Sequence, residues 1–216
     1  MDWPRIEAIV YGEETAPRDV MGPRITQDGV LIQGFFPDAE EVSVISGKKT
    51  YVCEKEDEAG YFAVLLPVHK VPEYKFSIKR SEIETESYDP YAFPCQITEE
   101  EEKQFCAGVY YEAYKKLGAH PMEINGVKGT LFAVWAPNAI SVNIVGDFNE
   151  WIGRATIMHR MPMSGIFELF VPGVEAGTHY KYEIKVKGGE VLLKADPYGN
   201  SAEHDSEGAS VVADVS

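Results

Sequence analysis

Hydrophobic and polar positions alternate along most of this chain with the two-residue period of half-buried strands. In Tyr180–Val186, Tyr180, Tyr182, Ile184 and Val186 fall on one face and Lys181, Glu183 and Lys185 on the other. Phe167, Leu169 and Val171 share a face, as do Phe62, Val64 and Leu66; Tyr74, Phe76 and Ile78 point in, with Lys75 and Lys79 out. Val42 with Val44 and Val142 with Ile144 behave alike. Pro37-Asp38, Gly47, Pro137-Asn138 and Gly188-Gly189 punctuate the gaps, as turn residues do. Short strands with such turns predict an all-β fold of β-sandwiches. Two helices interrupt the pattern. Pro4 marks the start of a short one over Trp3–Gly12. Thr98 and Glu101 form a capping box, with Glu99, Glu100 and Glu102 at the positive end of the helix dipole. That helix is expected to run to about Leu117 and stop at Gly118. A last strand is expected in Ala209–Ala213.

The strand pattern occurs twice, over residues 29–91 and 129–198. Gly29-Val-Leu-Ile-Gln-Gly-Phe-Phe-Pro37 answers Gly129-Thr-Leu-Phe-Ala-Val-Trp-Ala-Pro137, and Gly60-Tyr-Phe answers Gly165-Ile-Phe. Tyr74-Lys-Phe answers Tyr180-Lys-Tyr, and Asp89-Pro-Tyr answers Asp196-Pro-Tyr. A repeat of this length means two domains of one kind. The chain divides into residues 1–97, a sandwich with a short leading helix; 98–122, a linker helix; and 123–216, a second sandwich.

Charge and cysteine content narrow the partners. A formal charge of −15 lacks the basic footprint that nucleic acid or an anionic membrane requires. The acids gather in Glu54–Glu58, Glu82–Glu86 and Glu99–Glu102 and read mostly as solvated loops and a helix start. Three cysteines without a Cys-x-x-Cys pair support neither a disulfide framework nor a zinc knuckle, and fit a cytoplasmic setting. The start of the chain has no signal-peptide segment, and no stretch reaches membrane-spanning length. No catalytic, cofactor-binding or metal-binding pattern is present; His204-Asp205 sits in a polar loop without a placed nucleophile.

The most informative cluster is Gly146-Asp-Phe-Asn-Glu-Trp151, which follows a strand and opens with turn residues. An indole at a loop tip exposes apolar area unless a partner uses it. Trp151 therefore either stacks on the apolar face of a sugar, with amides and ammonium groups nearby on its hydroxyls, or folds back onto the sandwich edge. Lys181 faces outward as a hydroxyl partner or as a plain solvated lysine. Trp135, inside an apolar strand, is expected in the core.

Leu131-Phe-Ala-Val-Trp-Ala-Pro-Asn138, Gly146-Asp-Phe-Asn-Glu-Trp151, Tyr180-Lys-Tyr182 and Asp196-Pro-Tyr198 together resemble a family-48 carbohydrate-binding module, an immunoglobulin-like β-sandwich. Glu7-Ala-Ile-Val10, Val20-Met-Gly22, Asp89-Pro-Tyr-Ala-Phe93 and Tyr114-Lys-Lys-Leu-Gly-Ala-His120 resemble the tandem N-terminal region of bacterial glycogen branching enzymes. The resemblance covers nearly the whole chain and implies two immunoglobulin-like β-sandwich modules joined by a short helix. It further implies a non-catalytic region that supports a catalytic (β/α)₈ barrel and weakly binds α-1,4-glucan. The parent would cut α-1,4 links and form α-1,6 branches without a cofactor; this chain, which stops about where the barrel would begin, looks like a fragment inactive alone.

Carried over residue by residue, the sugar-stacking tryptophan is Trp151, accompanied by Asn149 and by Lys181 from Tyr-Lys-Tyr. The second stacking tryptophan of the best glycogen binders is replaced by Leu193. In the first copy Tyr51 falls at the register of Trp151 and Lys75 at that of Lys181, but Gly-Asp-Phe-Asn is absent, which makes that copy a packing module. Alternative readings are purely structural modules, a stand-alone glucan-binding adaptor, or a debranching relative.

Overall fold

The structure, a computed structural model, describes residues 1–202 and 208–214. His204-Asp205 lies outside the described residues. The chain forms two compact units: Met1–Tyr11 with Pro17–Ala92, and Gly12–Ala16 with Phe93–Ser216. Among the described residues no helix is long and apolar enough to cross a membrane.

The first unit opens with α1 (Trp3–Val10), where a proline in the first turn costs no hydrogen bond and Ile6 and Ile9 share the buried face. Its strands are β1 (Gly22–Ile25), β2 (Val30–Phe35), β3 (Glu41–Ser46), β4 (Lys49–Val52), β5 (Glu54–Asp57), β6 (Tyr61–Leu66), β7 (Lys75–Arg80) and β8 (Ile83–Ser87). They pair antiparallel in two sheets, β1-β2-β6-β5 and β4-β3-β7-β8. Val30, Ile32, Val42, Val44, Phe62, Leu66, Phe76 and Ile78 meet between them, so the alternating residues form the core as the two-residue period requires. Asp89 of the first Asp-Pro-Tyr is buried there, accepting the Tyr74 hydroxyl at 2.5 Å and the Tyr91 backbone N–H at 2.9 Å.

Among the described residues the second unit has nine strands: β9 (Gly118–Ile124), β10 (Val127–Trp135), β11 (Ala139–Gly146), β12 (His159–Arg160), β13 (Ile166–Pro172), β14 (His179–Val186), β15 (Val191–Lys194), β16 (Ser201–Ala202) and β17 (Ser210–Val211). One sheet runs β12-β13-β10-β9 and the other β11-β14-β17-β16, with β15 also on β14. Phe132 and Tyr180 pack edge-on, their ring centroids 4.9 Å apart. The second Asp-Pro-Tyr repeats the device of the first: buried Asp196 accepts Tyr180 at 2.7 Å and Tyr182 at 3.1 Å. The expected closing strand in the tail is β17, paired with β14 through Ser210 and Val211. The chain is thus all-β, two sandwiches with short helices, as its alternation implies.

Three expectations are corrected. The helix after Thr98 is α2 (Glu99–Cys106) and ends eleven residues early, followed only by a 3-10 turn over Ala113–Lys115. Its capping box is present. Its stop is Gly108, at φ +73°: the Gly108 N–H returns to Phe105 and the Val109 N–H to Gln104, a Schellman closure that a residue without Cβ makes cheaply.

Secondly, the acids of this helix are not all solvated. Glu102 is 1% exposed and accepts the backbone N–H groups of Met163 and Ser164 and the Ser164 hydroxyl, all within 2.9 Å. Buried Glu168 likewise accepts the N–H groups of Gln96 and Ile97. Through these carboxylates and an apolar cluster of Ile97, Leu117, Ala133, Met161 and Ile166, the segment from Phe93 to Leu117 covers the outer face of the β12-β13-β10-β9 sheet. Hence β13 is buried on both faces, although its sequence alternates.

Thirdly, Trp135 is not a core residue. It ends β10 on the covered outer face, but Phe105 meets it only in a tilted, T-shaped contact, with ring centroids 5.9 Å apart, and Trp135 stays 51% exposed. Its N–H is satisfied by the Ser164 carbonyl at 2.9 Å.

Candidate functional site

Separate contacts hold the loop that carries Gly146-Asp-Phe-Asn-Glu-Trp151 after β11. Phe148 is the apolar anchor, stacked on core Phe132 with centroids 6.0 Å apart. Asn149 organises the backbone: its Oδ1 accepts the Gly146 N–H, while its Nδ2 donates to the Ile144 carbonyl and the Thr156 hydroxyl, all within 2.9 Å. Asp147 ties the loop to β14, accepting the His179 backbone N–H at 3.0 Å and facing the His179 ring Nδ1 at 3.1 Å. Glu150 and Trp151 then both adopt left-handed backbone, at φ +54° and +62°. Two successive residues with side chains in that region each cost on the order of 1 kcal/mol or more, a burden that clusters where a side chain has a task. The outcome is an indole 41% exposed at the loop tip, its backbone N–H bonded to the Gly146 carbonyl.

This loop lies on the outward side of the β11–β14 pair. Directly opposed residues of an antiparallel pair share a face, so Ser141, Asn143 and Val145 join Lys185, Glu183 and Lys181 there. Gly153 packs so closely on Glu183 that a Cβ would stand 2.4 Å from its carboxylate. Glu183 also accepts the Asn143 amide at 2.9 Å. At the far end, Gly12–Ala16 covers the face: Ser141 donates to the Gly12 carbonyl at 2.6 Å, and Lys185 pairs with Glu13 at 2.8 Å. Lys181, half-buried, is left beside the end of β11 from which the Trp151 loop departs. Leu193, opposite Glu183 on β15, extends the same face and is 53% exposed.

The three residues expected at this site are therefore differently employed. Trp151 belongs to the loop that leaves β11, and Lys181 stands opposite Val145 at that end of the strand. Asn149 belongs to the same loop, but its amide is committed to holding the loop in shape. Asp147 went unnoticed in the sequence because its place in the motif reads as a variable position. Its carboxyl is held below the usual carboxylate range chiefly by the His179 backbone N–H, assisted by the His179 ring.

The first unit has no such surface. Gly47 and Lys48 join β3 to β4 in a two-residue hairpin, leaving no loop. Tyr51 stands opposite core residue Val44 and packs against the core. Lys75 lies over the Tyr88 ring at 4.8 Å and 3.7 Å from Glu86, a closed arrangement on its own sheet.

Residues 2–91 match the family model described as alpha-1,4-glucan branching enzyme GlgB, N-terminal domain, and residues 116–199 match Carbohydrate-binding module 48 (Isoamylase N-terminal domain). The chain is 41% identical over 212 residues to the 1,4-alpha-glucan branching enzyme GlgB of Saccharophagus degradans, covering 96% of this chain and 29% of that protein. It is 38% identical over 218 residues to that of Thermosynechococcus vestitus, covering 98% of this chain and 28% of that protein. The chain thus spans less than a third of the length of the curated relatives it matches. Together these matches fit an N-terminal region of a branching enzyme.

Proposed function

We propose that this chain, similar along nearly its whole length to the N-terminal region of branching enzymes, supports a catalytic domain without performing catalysis and holds α-1,4-glucan weakly through its second module. The parent activity on this reading is cleavage of α-1,4 links and formation of α-1,6 branches. The observation that carries the glucan reading is the strained loop after β11 that keeps the Trp151 indole exposed, at the end of the strand where Val145 pairs with Lys181. The indole offers a flat apolar face to a sugar ring, Lys181 a donor to its hydroxyls, and Asn149 the rigidity of the loop. With Leu193 where a second platform would stand, one stack contributes about 1–2 kcal/mol by analogy with other aromatic contacts, which corresponds to dissociation constants of about a millimolar. A cytoplasmic setting goes with this reading.

Titration with maltoheptaose, followed by tryptophan fluorescence, tests this reading. The signal is expected to saturate in the millimolar range and to vanish in Trp151→Ala; an unchanged response in that variant rules out glucan at this loop. The supporting role rests on a different observation. Tyr111, Tyr114 and Met163 are exposed, and Trp135 is half-exposed, on or beside the segment that covers the second sandwich. In a longer protein that includes the catalytic domain, hydrogen exchange over residues 107–116 is expected to slow; equal rates in the two proteins count against packing there.

A further inference from the structure

Five residues near the start of the chain behave as part of the second module. Tyr11 closes α1, and Gly12 turns away on left-handed backbone at φ +63°. Residues up to Tyr11 and from Pro17 belong to the first unit, whereas Gly12–Ala16 belongs to the second. In sequence this stretch, Gly-Glu-Glu-Thr-Ala, reads as a polar connector, and a connector leaves its backbone to water. Here the backbone is engaged. The Gly12 carbonyl accepts the hydroxyl of Ser141 on β11 at 2.6 Å, and Ser141 is 1% exposed. The Thr15 carbonyl accepts the backbone N–H of Arg160 on β12 at 2.8 Å. Between them Glu13 pairs with Lys185 of β14 at 2.8 Å. Buried Glu14 folds back on the stretch, its Oε1 accepting the Ala16 N–H at 2.8 Å.

These anchors fall at the corner of the sandwich. β11 stands at the end of one sheet and β12 at the end of the other. An edge strand presents backbone groups that its own sheet does not pair, and proteins cover such edges with loops. Thr156–Met158 runs along β11, with the Ile144 N–H on the Thr156 carbonyl and the Met158 N–H on the Val142 carbonyl, and then passes into β12. The chain thus changes sheets here, and Gly12–Ala16 bonds to both sides of the change: Ser141 on the β11 side and Arg160 on the β12 side. β12 is two residues long, so the Thr15 bond is a large addition to what its pairing with β13 supplies.

We propose that Gly12–Ala16 is a clasp of the second module: it closes the sandwich at the corner between β11 and β12, and the module reaches its full stability only with these residues, although Gly12 stands 129 positions from Ser141 in the chain. The module is then discontinuous in sequence. The match over residues 116–199 leaves the clasp outside. Two of its three anchors are backbone carbonyls, which any residue supplies, so no side-chain pattern betrays them. The clasp stands whether or not the second module takes sugar, though β11 is also the strand that leads into the Trp151 loop.

Amide hydrogen exchange and thermal unfolding of the whole chain test this. The Arg160 amide is the reporter, because its partner is the Thr15 carbonyl. In the parent it is expected to exchange within about tenfold of the Ile144 and Met158 amides, since a clasp opens together with its module. Two variants then release the clasp from opposite sides. Replacing Glu13–Ala16 by Gly-Ser-Gly-Ser keeps the connection and its length but loosens the stretch. Ser141→Ala leaves the stretch intact, removes its buried anchor on β11 and guards against a replacement that fails to fold. Both are expected to speed Arg160 exchange at least about tenfold. Both are also expected to lower the unfolding midpoint of the second module by about 5 °C, with exchange across Val30–Phe35 of the first module unchanged. An Arg160 amide as fast as an unprotected one in the parent overturns the proposal. So do variants in which Arg160 exchange and the midpoint stay at their parent values, and so does an equal loss of protection in both modules, which marks a general loosening of the chain.

Discussion

At equivalent places after their third core strand segments, the two modules do opposite things with one residue position. The first turns at once through Gly47-Lys48 and lays Tyr51 onto its core. The second continues into a loop that holds Trp151 out, 41% exposed. Both keep the same sandwich, and both bury the aspartate of Asp-Pro-Tyr under tyrosine hydroxyls. Duplication conserved what the core requires and left the loop free to differ, because a sandwich core constrains inward side chains and barely constrains what leaves its edge. A second contrast lies in the cover: the outer sheet face of the second module is sealed by the segment from Phe93 to Leu117 and two buried glutamates.

The largest effect is expected from breaking that seal. Glu102→Ala leaves two backbone N–H groups and the Ser164 hydroxyl without their acceptor, and is expected to destabilise the second module by about 4 kcal/mol, read from denaturant unfolding. A loss below about 1 kcal/mol would show the cover to be incidental.

Next comes the shared aspartate. Burial pushes the Asp89 carboxyl up to about 6 from the ordinary 3.8, against its hydrogen bonds from Tyr74 and Tyr91. The folded state therefore binds this proton more tightly than the unfolded chain. The resulting stabilisation is full below pH 4 and lost as pH rises through 6, an amount of about 3 kcal/mol. Unfolding measured from pH 4 to pH 7 is expected to show this decline in the parent and a flatter profile in Asp89→Asn. Burial pushes Asp196 in the same direction, so both modules share the sign.

Smaller effects sharpen the contrast at the loop. Trp151→Ala is expected to abolish the maltoheptaose response, whereas Tyr51→Ala lowers the stability of the first module and leaves binding unchanged. Loss of binding in Tyr51→Ala, checked by the same titration, would restore the first module as a glucan site. Leu193→Trp is expected to raise affinity about fivefold, since the position is exposed on the same face and a larger ring meets no core. A Leu193→Trp protein that binds no better would show that this face does not carry the sugar.

Much of this was readable without coordinates. The repeat, the inward residues of the strands, the capping box and the closing strand at Ser210 all follow from local rules, since a two-residue period leaves one solution once one face must be buried. The resemblance put Trp151 and Lys181 forward as partners in one site. Other features were not local. Glu102 sits in a run of acids that looks solvated, and only the approach of residues 163 and 164 buries it. Trp135 lies in an apolar strand, and only the extent of α2 decides that half of its ring stays uncovered. Gly108, the true helix stop, was visible in the sequence but stood inside an apparently continuous pattern. Asn149 and Asp147 share one motif, yet their tasks were set by which groups the folded loop brings within hydrogen-bond reach.

Local pattern was sufficient for strand identity and core faces, because each depends on neighbours two to four residues away, and the recurrence of that pattern along the chain was sufficient for the count of modules. The cover over the second sandwich, the exposure of its tryptophans and the Asp147 anchor depend on partners tens of residues distant. Those contacts exist only once packing brings the partners together.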